Sequence, residues 1–299
     1  MMLHEDEIPA DASLVRRLLA EQRPEWAGLA VRAAGSGTDN RMFRLGDDLL
    51  VRLPRTPGTA EAVRKEQLWL PRLAPRLACL VPEPVHEGVP GAGFPLPWSV
   101  YRWIDGAAPG PGSVPDWAAF GTDLAGAVRS LHAVPLPPEA DRGALQWYRG
   151  GELAPCDPWV RERFAQARAL PGLELDLDRL EALWRRALAL PAPSGPPVWL
   201  HGDLKPSNLL VRDGRLRAVI DFGGLSIGFP DAEHAPLWDV PAAARHAYRA
   251  ALGLDEQVWQ RACGWAVAVA ISGIPYYWHT DPAFVAECTA RLRAVLADH

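Results

Sequence analysis

The feature that most restricts how this chain can fold is a polar run gripped between apolar ones. Val198, Trp199 and Leu200 lead into His201-Gly202-Asp203-Leu204-Lys205-Pro206-Ser207-Asn208, and Leu209, Leu210 and Val211 follow. A further apolar run over 216–220 ends at Asp221-Phe222-Gly223. Short apolar runs bounded by polar, Gly and Pro residues are buried strands. The block 201–208 is therefore a loop held between strands. It presents a carboxylate at Asp203, a carboxamide at Asn208, and a second carboxylate at Asp221 on the end of the next strand.

Phosphoryl transfer from a nucleotide needs that set. One carboxylate orients the attacking hydroxyl and accepts its proton, which suits Asp203. Mg2+ wants a few hard oxygen ligands with room left for phosphate and water, which suits Asn208 and Asp221. Lys205 is close enough in sequence to reach the γ-phosphate as a point charge. Lys65 and Lys205 are the only lysines, so other phosphate contacts fall to arginine.

The spacing H-G-D-x-x-x-x-N followed by D-F-G resembles the kinase loop H-R-D-x-x-x-x-N and its metal-binding D-F-G. Gly202 in place of arginine is similar to the aminoglycoside phosphotransferase family, small-molecule kinases of protein-kinase-like fold. The resemblance implies an α+β, two-lobed fold: an N-terminal lobe of antiparallel sheet plus helices over 1–104, a hinge near 101–105, and a mainly helical lobe over 105–299. It implies ATP or GTP with Mg2+ as cofactors and a small-molecule hydroxyl as acceptor, an aminoglycoside or another antibiotic. A metabolite kinase acting on choline, homoserine or a sugar, and a nucleotide-binding pseudoenzyme, are the alternatives.

The rest of the sequence fits this frame. The 299 residues are many for one core and ordinary for two lobes. A net charge of -5 argues against nucleic acid or an anionic membrane as partner. Cys79, Cys156, Cys263 and Cys288 are far apart with no C-x-x-C pair, as in a reduced cytoplasmic protein. Residues 1–11 are acidic, without the apolar core of a signal peptide. The uncharged run 262–278 contains Gly264, Gly273 and Pro275 and reads as a buried helix, not a membrane span.

Along the chain, 13–22 reads as a helix and 29–53 as a β-meander. Between its first strands lies Gly35-Ser36-Gly37-Thr38-Asp39-Asn40. By resemblance this turn covers the nucleotide phosphates, with Ser36, Gly37 and Thr38 nearest them. Arg52 stands where kinase-like folds place a lysine that contacts phosphate and pairs with a helix glutamate. On the helix over 59–73 that partner is Glu66, with Glu61 as rival because register is open. Tyr101, Arg102 and Trp103 occupy the hinge, whose backbone would hold the purine. Helices follow over 116–132, 157–169, 177–190 and in three stretches from 240 onward. Past the D-F-G, relatives commonly read Gly-Asp-Pro-Ala-x-Asp; this chain has Phe229 and Glu233 at the two acid positions. Glu233 is long enough to support the loop from behind, whereas Phe229 removes a polar contact. Trp238, Asp239 and 276–279 are candidate pocket residues.

Overall fold

The computed structural model describes residues 7–37 and 39–299. The chain divides into two compact units, one running to Gly106 and including Ala218–Gly223, the other comprising Ala107–Arg217 and Gly224–His299.

In the first unit, Asp11 caps α1 (Ala12–Gln22) by accepting from the Leu14 amide. Then come β1 (Val31–Ser36), β2 (Asn40–Leu45), β3 (Leu49–Pro54), α2 (Ala60–Leu73), β4 (Pro84–Gly88) and β5 (Trp98–Arg102). The strands form one antiparallel sheet in the order β1-β2-β3-β5-β4. Leu14, Val15, Leu18 and Leu19 of α1 share its core with Phe43, Leu45, Val51, Leu53, Trp98 and Val100. Helical spacing buries Val63, Glu66, Leu70 and Leu73 on one side of α2, which settles the register on Glu66. The segment 218–223, read from sequence as part of the second lobe, belongs here. Ala218 bridges Leu80 in parallel, and the Val219 amide donates to the Leu80 carbonyl at 3.0 Å.

The second unit is mainly helical. Asp116 caps α3 (Trp117–His132) through the amides of Ala118 and Ala119. After α4 (Asp157–Arg168) and α5 (Leu177–Leu188), β6 (Val198–Leu200) delivers the chain to the polar loop. β7 (Leu209–Arg212) leaves that loop, and β8 (Arg215–Val219) begins in this unit and ends in the first. β9 (Ser226–Gly228) pairs antiparallel with β6. A 3-10 stretch, Pro230–Asp239, is buried from Asp231 to Trp238. The chain closes with α6 (Ala242–Leu252), α7 (Glu256–Tyr277) and α8 (Pro282–Asp298). Core contacts bury α7 on most of its circumference, which explains its uncharged sequence. No described helix is long and apolar enough to cross a membrane.

α3 and α6 approach at Gly121, where an added Cβ would lie 2.1 Å from the Ala244 carbonyl oxygen. Backbone cannot yield as a flexible side chain can. Gly121→Ala should therefore cost about 1–3 kcal/mol through overpacking, read as a lower urea midpoint; an unchanged midpoint would contradict this contact.

Candidate active site

The loop after β6 is held from behind by one buried acid. Glu233, 1% exposed, accepts from the amides of His201 and Gly202, each at 2.8 Å. Burial pushes its carboxyl up to about 7, against the pull of those two amides. Gly202 has φ +82°, and a Cβ there would meet the Trp147 ring at 2.5 Å and the Gly224 carbonyl oxygen at 2.7 Å. Only glycine fits such a position.

Asp203 is bracketed by donors. Asn208 Nδ2 donates to its Oδ2 at 3.1 Å and to its carbonyl at 2.9 Å. Lys205 Nζ lies 3.6 Å from Oδ2, and Arg149 Nη1 lies 3.3 Å from Oδ1. Burial opposes the charge on Asp203, but the electrostatic pull of Lys205, Arg149, His201 and Arg291 outweighs it and holds the carboxyl below its ordinary range. The side chain is an ionised acceptor at neutral pH. With its nitrogen turned to Asp203, the Asn208 oxygen accepts no hydrogen bond among the described residues.

In the first unit, Arg52 is 8% exposed. Its Nη1 donates to both Glu66 oxygens at 3.0 and 2.9 Å, and its Nη2 to Asp221 Oδ1 at 2.7 Å. The Tyr101 hydroxyl donates to Glu66. Burial disfavours the guanidinium charge; Glu66 and Asp221 more than restore it. Asp221 sits at φ +64°, a left-handed position that aspartate tolerates better than most residues. Its second oxygen accepts no hydrogen bond among the described residues.

Gly35 turns at φ +92°, and the Gly37 amide donates to the Asn40 carbonyl at 3.1 Å. Thr38 lies outside the described residues, as does the side chain of Ser36. Sequence reading missed what braces this turn. Arg55 Nε donates to the Gly37 carbonyl at 2.9 Å, and the Arg55 amide to the Asp39 carbonyl at 2.8 Å. The Arg55 and Arg41 guanidiniums both donate to buried Glu7. An acid ahead of the first helix and an arginine after Leu53-Pro54 are the only traces of this in the sequence.

At the hinge, the amides of Arg102 and Trp103 donate to the carbonyls of Glu83 and Asp48, at 2.9 and 2.8 Å. The Tyr101 side chain is buried beside Arg52, while that of Arg102 faces solvent. The amide of Ile104 makes no backbone hydrogen bond among the described residues. Trp238 is likewise core rather than pocket, 2% exposed and stacked near Trp259, and Asp239 is tied to Arg291. Phe229 acts through its backbone: its amide donates to the Gly150 carbonyl at 2.9 Å. The nearby acid, Asp231, pairs with Arg261 at 2.9 Å.

Among the described residues no group of three or more His, Cys, Asp or Glu could hold a metal. Magnesium in a nucleotide site does not need one, because phosphate and water complete its octahedron. The free oxygens of Asn208 and Asp221 fit that chemistry.

Residues 30–265 match the phosphotransferase enzyme family, and the chain belongs to it. Its class of reaction is thereby small-molecule phosphotransfer. No curated protein sequence matches it. Among solved structures it resembles the GDP complex of wild-type aminoglycoside 2'-phosphotransferase-IIIa, with TM-score 0.76 and 21% identity over 97% of this chain and 99% of that one. The GDP and kanamycin complex of APH(2")-IIIa gives 0.73 and 21% over 94% and 98%. The macrolide 2'-phosphotransferase MphH from Brachybacterium faecium gives 0.61 and 23% over 95% and 98%. The fold is the α+β protein-kinase-like one.

Glu233 supplies the pH test. Its folded value, about 7, lies above the ordinary 4.5. Its contribution to stability is thus complete below 4.5 and lost as pH rises through about 7. Across that window wild type should lose stability relative to Glu233→Gln in urea denaturation; parallel curves would contradict the burial of this carboxyl.

Proposed function

We propose that the chain transfers the γ-phosphoryl group of ATP or GTP to a hydroxyl of a small molecule, an aminoglycoside or another antibiotic. The observation that carries this is Asp203, kept ionised among cations and hydrogen-bonded to an Asn208 whose oxygen is left free. The names of the similar structures, which include kanamycin and GDP, support the acceptor and nucleotide classes. The free cysteines suit the cytoplasm, to which we assign the protein.

In this reading Asp203 accepts a hydrogen bond from the acceptor hydroxyl and takes its proton. A bond forms between the hydroxyl oxygen and the γ-phosphorus, and the bond from that phosphorus to the β–γ bridging oxygen breaks. The electron pair leaves on the nucleoside diphosphate. Magnesium, when bound, spreads the charge of the phosphate oxygens; Asn208 and Asp221 would hold it. Arg52, fixed by Glu66, faces the α- and β-phosphates as a planar fork in place of lysine. Lys205 serves the γ-phosphate, and Ser36, Gly37 and Thr38 of the turn serve the phosphates. The hinge backbone at Tyr101, Arg102 and Trp103 meets the purine. That Arg52 has its glutamate partner weighs against a pseudoenzyme.

Asp203→Asn should lower kcat by about 10²–10⁴-fold with nucleotide affinity retained in calorimetry; near-normal turnover would remove Asp203 from its role. Asp221→Ala should weaken nucleotide binding in the presence of magnesium and leave metal-free binding little changed, and equal affinities with the metal would refute its assignment. Arg52→Ala should raise the nucleotide KM by about tenfold or more, in line with loss of a charge-assisted contact; an unchanged KM would leave Arg52 a purely structural role.

A further inference from the structure

Where the protein-kinase pattern has arginine next to its catalytic aspartate, this chain has Gly202, at a place that no side chain can occupy. A guanidinium reaches the same loop from elsewhere. Arg149 Nη1 donates to the Gly202 carbonyl at 2.7 Å and to Asp203 Oδ1 at 3.3 Å. Its Nε donates to the Tyr148 hydroxyl at 3.1 Å, and its guanidinium carbon lies 4.5 Å from the Trp147 ring centre. That same indole is what closes the space over Gly202 and Gly224.

The backbone under Arg149 is fixed as well. The Gly150 amide donates to the Trp147 carbonyl at 3.0 Å, and the Phe229 amide donates to the Gly150 carbonyl. Gly150 and Gly228 touch so closely that a Cβ on Gly228 would lie 2.3 Å from the Gly150 carbonyl oxygen. A side chain locked by stacking and hydrogen bonds on a locked turn is what precise orientation of a reacting group requires.

We propose that Arg149 is a positioning residue for phosphoryl transfer, holding Asp203 so that its Oδ1 faces the acceptor hydroxyl. The inference rests on the role proposed for Asp203. Oδ2 is taken by Asn208 and lies toward Lys205, whereas Oδ1 carries only the long bond from Arg149. That leaves Oδ1 able to accept a hydroxyl. Without Arg149 the carboxylate swings toward Lys205, and the hydroxyl meets the phosphorus off line.

The test uses the full chain and slow hydrolysis of radiolabelled MgATP and MgGTP, in which water replaces the acceptor. The water oxygen bonds to the γ-phosphorus, the bridging bond breaks, and Asp203 takes the proton. Arg149→Met should lower kcat by about tenfold to a hundredfold, the cost expected of a misplaced reacting group. The nucleotide KM and the nucleotide-induced rise in Tm should stay at wild-type values, and Arg149→Lys should recover part of the rate. An Arg149→Met kcat equal to wild type would overturn the proposal. So would a loss of rate matched by loss of the nucleotide-induced Tm rise, which marks a structural role. If wild type is no faster than Asp203→Asn, the reading of Asp203 fails, and this inference with it.

Discussion

Two adjacent amides, those of His201 and Gly202, end on one buried carboxylate, Glu233. Much of the second unit's arrangement follows from that. A loop of polar residues between β6 and β7 has backbone donors that secondary structure cannot satisfy. Left unpaired in the interior, each would cost about 1–3 kcal/mol. Glu233 meets two at once and fixes the left-handed turn at Gly202. Asp203 and Asn208 leave that turn already hydrogen-bonded to one another. The orientation of Asp203, the proton acceptor of the proposed reaction, is thereby set through the loop backbone.

The first unit solves a different problem, a buried cation. Arg52 is enclosed with Glu66, Asp221 and Tyr101, and its fork geometry lets one guanidinium serve two carboxylates. A lysine ammonium, as a compact point charge, would not span them in the same way. Arginine at this strand position thus pairs with Asp221 as well as with Glu66. With one oxygen paired to Arg52, Asp221 keeps the other for the metal role proposed for it.

The sequence carried the strands around the polar loop, the Asp203/Asn208/Asp221 spacing and the amphipathic helices, because each is a local pattern of burial or chemistry. What escaped it depends on contacts between distant residues. Whether α2 turns Glu66 or Glu61 inward was fixed only by packing on the sheet. Arg55 bracing Gly37 and Arg149 reaching Asp203 join positions 18 and 54 residues apart, with no periodic mark in between. Which hinge amides are already paired was not legible, because a backbone donor leaves no trace of its partner in residue identity; Glu83 and Asp48 take Arg102 and Trp103 through main-chain carbonyls. Trp238 and Phe229 were judged by side-chain type, whereas the first is core and the second contributes its amide.

At the centre of the account is a single chemical event: an oxygen of a small molecule displaces nucleoside diphosphate from phosphorus. Phosphorus-31 NMR of the purified protein with MgATP or MgGTP and a panel of hydroxylated acceptors, aminoglycosides and macrolides included, observes it directly. A new phosphate-monoester resonance, growing as the γ-phosphate signal falls and requiring one acceptor class, is the predicted result. Nucleotide that binds and yet yields no ester with any acceptor would contradict it.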